Sequence, residues 1–434
     1  MHRDRRPPAS LLVSSGNGNR RRYAYLGVSF VMNVMLGTAY SWSVFDGPLR
    51  SAYGADQFTA MLPMAVALVM FSIGMTFCGG FVDRVGPRKV AIVGGILVSA
   101  GYMLSALVAV SPWPIPTLIV TYGVVMGFGL GFAYNPPIPT AARWFPDRKG
   151  FATGIVVMGY GLSPLFTAPA ATALIGAYGV AAAFLGLGIV FLVVLLPLGS
   201  LLKFPPAGFQ APPPKKPARQ RAWEPMGDVE RRVMLRRPAF WTAWLLYAVG
   251  TAGGFMIIGK AKPIAVDVGG VDALSLLATA SVMVVAVFNS LGRPIFGRLA
   301  DSVGPKRTLL LMFAILLGAM GLLSVSSWWP LLYAGMAITG IAFGGFLAVM
   351  PALTTRYFGT KNLGANYGVM FTGYGVGALV ATFAIGPIYN AFHSYVPAFY
   401  VGILLSLSGL AVALLLRPPK PVAARIPPRV VPHL

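Results

Sequence analysis

The chain has 434 residues, 56% of them hydrophobic and only 10% charged, and a formal net charge of +23. So little polar surface excludes an ordinary soluble domain. Lys and Arg sit at the ends of apolar runs and in the tails, so the positive excess does not point to nucleic acid. The single cysteine, Cys78, allows neither an intramolecular disulfide nor a cysteine metal cluster, and two of the three histidines (His2, His393, His433) lie in the tails; no metal site or cofactor is expected.

In chain order, residues 1–22 are polar, basic and rich in Pro, Ser and Gly. They read as a cytoplasmic tail rather than a cleaved signal peptide. Twelve apolar segments of about bilayer length follow: Tyr25–Pro48, Phe58–Val82, Val90–Val110, Pro116–Ala141, Gly150–Ala173, Val180–Leu202, Phe240–Gly259, Ala273–Phe296, Thr308–Val325, Pro330–Leu353, Gly364–Pro387 and Val396–Leu416. The first and seventh are the least regular. The pattern predicts an all-α membrane protein with twelve transmembrane helices in two six-helix halves, residues 23–203 and 239–416. A Pro- and Lys-rich cytoplasmic linker (204–238) joins the halves, and a basic tail (417–434) follows. With both termini in the cytoplasm, 30 of the 34 Lys and Arg fall on that side of the cell membrane; Arg50, Lys260 and Lys262 lie outside. The bias fixes the expected orientation.

The halves repeat. Asp83-Arg84-Val85-Gly86-Pro87-Arg88-Lys89 after the second span returns as Asp301-Ser302-Val303-Gly304-Pro305-Lys306-Arg307 after the eighth. Arg143-Trp144-Phe145 and Gly159-Tyr160-Gly161 return as Arg356-Tyr357-Phe358 and Gly373-Tyr374-Gly375, at nearly the same offset along the chain. Copies on one membrane side predict parallel halves related by an axis along the membrane normal.

Arg293 is the residue placed deepest among the charges. It lies eight residues before Asp301, which marks the cytoplasmic end, and so about 12 Å into the membrane. A fixed cation at such depth is kept for a reason, and with no carboxylate at mid-membrane to pair with it, it suggests an anion site. Its guanidinium stays protonated and can hold a carboxylate through two parallel hydrogen bonds. Asn289 lies four residues earlier on the same face, where it either contacts the cargo or ties two helices together. The repeat mate of Arg293 is Met75, so one half offers a cation and the other an apolar position.

The twelve spans, the central linker and the D-x-V-G-P turns resemble the major facilitator superfamily. Within it, Tyr40-Ser41-Trp42, Phe81-Val82-Asp83, Arg143-Trp144-Phe145-Pro146-Asp147, Gly159-Tyr160-Gly161, Arg293-Pro294 and Asn366-Tyr367-Gly368 are similar to the oxalate–formate antiporter and bacterial monocarboxylate transporter group. The resemblance implies that Arg293 binds a substrate carboxylate, that Tyr134 contacts substrate, and that Asp83, Arg84, Gly86, Arg88, Asp301 and Gly304 gate the cytoplasmic side. At the position of Tyr374 the oxalate–formate exchanger carries a lysine, the second cation of its site. A neutral tyrosine leaves one cation here, which balances a monoanion rather than a dianion. Tyr134 opens Tyr134-Asn135-Pro136-Pro137-Ile138-Pro139, which cannot be an unbroken helix; the break lines the pathway or serves packing. Tyr40 and Trp42 offer an aromatic wall or an interfacial belt.

The expectation is a secondary transporter of small monocarboxylates (lactate, pyruvate or formate type), acting by alternating access as a functional monomer in the lipid bilayer. Proton symport and anion exchange are both open; a proton carrier would be Asp46, Asp267 or Asp272 at the membrane edge, or the substrate itself. An oxalate/formate-type dicarboxylate exchanger and a non-transporting nutrient sensor are the alternatives. A membrane enzyme would need a His, Cys, Asp or Glu cluster at membrane depth that the sequence does not offer, and Arg293 would repel the cations of a multidrug exporter.

Overall fold

The computed structural model describes residues 15–206, 209, 227–273, 275–359 and 362–419, apart from the side chains of residues 15–19, 83, 149 and 150. Most of the tails and the Pro- and Lys-rich part of the linker lie outside the described residues. Every regular element among the described residues is helical. Ten runs are long and apolar enough to cross a bilayer, or eleven when the bent pair Arg20–Ser41 and Ser43–Tyr53 is taken as one span. The run Phe151–Leu201 has 51 residues. A straight helix of that length would extend about 75 Å, more than twice the hydrocarbon thickness. It is broken at Gly179, where φ is 82° and ψ is 174°, and therefore makes two crossings, bringing the total to twelve. In sequence order the spans after the bent pair are Thr59–Val82, Pro87–Ala109, Pro114–Trp144, the two parts of Phe151–Leu201, Pro238–Ile258, Leu276–Val303, Pro305–Val325, Trp329–Phe358, Leu363–Phe392 and Val396–Leu415. They are called spans one to twelve below.

Several boundaries run past the apolar stretches, because a helix can continue into polar surroundings where tertiary contacts hold it. Span one already begins in a helix at Ser15, inside the stretch read as tail. Arg22 anchors it through an ion pair with Asp147 (3.0 Å) and a contact with the Phe145 ring (4.7 Å). Span one bends by 43° after Ser41. Span four is interrupted at Asn135 and Pro136, where consecutive prolines deprive the helix of donors.

The repeat seen in sequence returns as geometry. Gly86 (φ 87°, ψ 159°) and Gly304 (φ 92°, ψ 152°) have nearly the same backbone conformation, which a Cβ would disfavour. Their N–H groups donate to the carbonyls of Val82 and Ala300, which also correspond in the repeat, and Pro87 and Pro305 start the next helices. The halves meet along spans two and eleven on one flank and spans five and eight on the other. A Cβ on Gly375 in span eleven would lie 2.6 Å from Ser72 Oγ in span two. Its repeat mate Gly161 in span five is as tightly placed, 2.5 Å from Ser290 Oγ in span eight.

Candidate functional site

Span eight starts at Ser275, whose hydroxyl accepts the N–H of Ala278 (3.1 Å), and carries Asn289, Ser290 and Arg293 inward on one buried face. Pro294 follows directly and frees the carbonyl of Ser290 from its helical partner. The Arg293 side chain is 1% exposed, so it does not reach the membrane surface. Nη1 donates to the carbonyl of Val157 in span five. Nε and Nη2 have no hydrogen-bond partner among the described residues. The guanidinium carbon lies 5.9 Å from the centre of the Tyr160 ring. Leaving donors of a buried cation unmatched costs far more than leaving those of an exposed one.

Around this cation stands an aromatic cage drawn from both halves. Tyr40 of span one and Tyr374 of span eleven share a hydrogen bond between hydroxyls, 2.8 Å long. The Tyr40 ring meets Tyr160 edge-on at 5.0 Å, and Tyr134 meets Tyr160 at 5.1 Å. Phe71 closes one side against Tyr134 (5.2 Å) and Tyr374 (5.9 Å), while Phe255 and Phe343 close the other. One turn from Arg293, Asn289 is 1% exposed and neither its Nδ2 nor its Oδ1 has a partner among the described residues. It borders a small gap of about 10 Å³, room for about one water molecule, whose wall is otherwise Tyr40, Pro164, Ile258, Ala261, Val282, Val285 and Ala286. A cation, an unmatched amide and an apolar wall suit a small molecule with one negative end.

Tyr40, Tyr134, Asn289, Arg293 and Tyr374 are thus brought into one layer. Trp42 is not. Its indole N–H donates to the carbonyl of Ala60 (3.0 Å), and its ring packs on Tyr122 (4.6 Å), Phe45 and Phe184 within the first half. Of the residues at the two turns, Arg84, Arg88 and Asp301 are exposed, while the Asp83 side chain lies outside the described residues. A Cβ on Gly304 would come within 3.1 Å of Arg356 Nη1, which brings the second copy of the Arg-aromatic-Phe motif to the second turn. Tyr160 was missed from sequence as a site residue, although its standing as the repeat mate of Tyr374 would have marked it. Phe71, Phe255 and Phe343 carry no such signal among 27 phenylalanines.

Gly161 makes the close approach of spans five and eight possible: a Cβ there would sit 3.4 Å from Arg293 Cζ and Nη2 as well as against Ser290. Gly161→Leu is expected to displace the guanidinium and reduce affinity for a small carboxylate by an order of magnitude or more, roughly what overpacking by 1–3 kcal/mol implies. Equal carboxylate affinities for the parent and the variant in a binding assay would remove this contact from the site.

The family model described as Major Facilitator Superfamily matches residues 26–289 and 252–432, two overlapping segments that cover nearly the whole chain. The oxalate:formate antiporter of Oxalobacter formigenes is 28% identical over 375 residues, 84% of this chain and 86% of that protein. Human monocarboxylate transporter 11 is 28% identical over 403 residues, 89% of this chain and 79% of that protein. Among solved structures, a bacterial homologue of the human lysosomal transporter Spinster, described as inward-facing and unoccupied, superposes with a TM-score of 0.64. The two share 16% identity, and the match covers 91% of this chain and 94% of that one. It shows likeness of fold.

Proposed function

Given that the chain belongs to the Major Facilitator Superfamily and is a multi-pass membrane protein of a transporter family, we propose that it carries small monocarboxylates of the lactate, pyruvate or formate type across the cytoplasmic membrane by alternating access. The observation that supports this reading best is the buried Arg293 guanidinium with Nε and Nη2 unmatched beside the unmatched Asn289 amide. A carboxylate would pair with the two free donors, and an α-hydroxyl or keto oxygen would find the amide. The apolar wall that suits the carbon end of a short acid comes mostly from Arg293's own half, through Ile258, Ala261, Val282, Val285 and Ala286, with Tyr40 and Pro164 from the other; Met75 is buried at the repeat position of Arg293. Names of relatives agree with a carboxylate cargo: one is an oxalate:formate antiporter and another a monocarboxylate transporter.

Competition among mono- and dicarboxylates for labelled lactate uptake into proteoliposomes, with and without a pH gradient, tests the reading. Monocarboxylates should compete and oxalate should not; absence of lactate uptake across all conditions would end it. Tyr374 supplies the second arm. Its hydroxyl already faces Tyr40 at 2.8 Å in a layer holding one cation. Tyr374→Lys adds a second cation and is expected to shift preference toward oxalate by about tenfold or more, the scale of a desolvated charge pair. Unchanged selectivity would count against charge balance as the basis of discrimination.

A further inference from the structure

The two copies of the Arg-aromatic-Phe motif each hold one end of the linker that joins the halves. In the first, the Trp144 indole N–H donates to the carbonyl of Lys203 (2.7 Å), and the Arg143 guanidinium lies over the Phe204 ring at 3.8 Å. In the second, the carbonyl of Phe358 accepts the N–H of Val229 (3.0 Å). The Val229 carbonyl in turn accepts from the side-chain amides of Asn362 (3.3 Å) and Asn366 (2.9 Å). Val229 is buried, and so is Met234 in the helical turn Arg231–Leu235 that follows. Gly359, at φ 84°, leaves the notch open: a Cβ added there would come within 2.7 Å of the Asp228 Cα. The strap formed by residues 228–235 is therefore bonded on both sides of the turn between spans ten and eleven.

The strap bears on a jointed element. Span eleven consists of two pieces, Leu363–Met370 and Thr372–Phe392, that meet at Phe371. There the N–H of Tyr374 bonds three residues back to the Phe371 carbonyl (3.0 Å), the tighter 3-10 pattern that within a helix often marks a hinge. The first piece carries the strap on Asn366 and meets the other half on Gly364 and Gly368. The hydroxyl of Thr76 in span two donates to the carbonyl of Gly368 (2.7 Å), and a Cβ on Gly79 would lie 3.1 Å from the carbonyl oxygen of Gly364. These contacts close the halves at the end that carries the two Gly-Pro turns. At the joint, Phe371 stacks on Tyr374 (4.7 Å) and meets Phe71 (5.1 Å), inside the aromatic cage. The opposite end has its own ties, a buried ion pair of Asp46 with Lys260 and a bond from Asn390 to Asp56 (2.9 Å).

We propose that the strap is a brace on the mouth at the Gly-Pro end. Seated in the Gly359 notch, it holds the first piece of span eleven against span two; unseated, it lets that piece swing at Phe371 and the mouth open. The brace concerns the halves and not the cargo, so it stands or falls apart from the monocarboxylate reading. A brace shifts a balance only if it binds one state better. The difference lies in the shared helical piece. Asn366 and the face formed by Gly364 and Gly368 belong to the same two turns, so tilting that face away from span two draws Asn366 off the Val229 carbonyl. By linkage, closing the mouth also tightens the strap. Tension on the linker then reaches the cage through Phe371.

The test measures the spacing of the halves in the full chain, in lipid nanodiscs with no cargo added. Cys78→Ala removes the one native thiol. Spin labels on Lys89→Cys and Arg307→Cys, exposed repeat mates in the two halves at this end, report the distance between them by pulsed electron resonance. Hydrogen exchange over residues 227–235 reports whether the strap is seated. Met234→Asp puts a carboxylate at a fully buried position of the strap, and the gentler Val229→Pro removes the N–H given to Phe358. Each is expected to speed strap exchange several-fold and to raise the population of longer label distances several-fold over the parent. A strap released by exchange with the parent's distances would be a passive tether, which overturns the brace. A strap that stays protected in both variants overturns the seat assigned to it. Should Met234→Asp fold poorly, Val229→Pro decides both points.

Discussion

On the monocarboxylate reading proposed above, Arg293→Gln is expected to bring uptake of labelled lactate to background while leaving expression and the elution profile unchanged. The side chain is 1% exposed and lends one N–H to Val157, with Nε and Nη2 unmatched. Removing one partner of a desolvated charge pair costs about 3 kcal/mol or more, roughly a hundredfold in apparent affinity. The fold, by contrast, loses a buried cation that it does not fully compensate, so thermal stability should hold or rise. Arg293→Lys keeps the charge but not the fork and should recover only part of the activity. A pillar role predicts the opposite pattern, with Arg293→Gln lowering the melting midpoint and the residual protein transporting normally. That result would detach Arg293 from the cargo.

Lys260→Met is expected to be the most destabilising single change outside the apolar core. It strands the Asp46 carboxylate with no exposed surface. Losing one member of a buried pair costs about 3–5 kcal/mol, whereas replacing both members is close to neutral. Asp46→Asn together with Lys260→Met should therefore recover most of the loss, and a double-mutant cycle read from thermal melts in detergent should give a large coupling energy. Additive losses would mean that the two groups do not depend on each other.

Much of the architecture was legible before the structure. Bilayer-length apolar runs mark the spans because a single segment crossing lipid can satisfy its own backbone only as a helix. The internal repeat found the two Gly-Pro turns, whose dihedral angles nearly coincide. Depth along one helix found Arg293 and Asn289 together, since helical periodicity is local information. What was not legible is long-range. Lys260 lies just past an apolar span and reads as an exposed loop residue marking topology; its full burial depends on Asp46, far away in the other half, and on how the halves close. Trp42 shares a tripeptide with Tyr40, yet the bend after Ser41 sends its ring into the first half and away from the cation. Span six begins at an abrupt break at Gly179 rather than after a loop from 174, because one glycine at positive φ is enough to reverse the chain.

The two glycine contacts that bind the halves have a mechanical consequence. Gly375 presses on Ser72 along one flank and Gly161 on Ser290 along the other, and the second contact also abuts the guanidinium. For the alternating access proposed above, two such close approaches on opposite flanks of the bundle would act as a fulcrum. Tilting about them would widen one mouth as it narrowed the other, with least displacement at the pivot itself. Cargo held by Arg293 would sit near that still point, so its exposure would switch sides without the anion being carried through hydrocarbon.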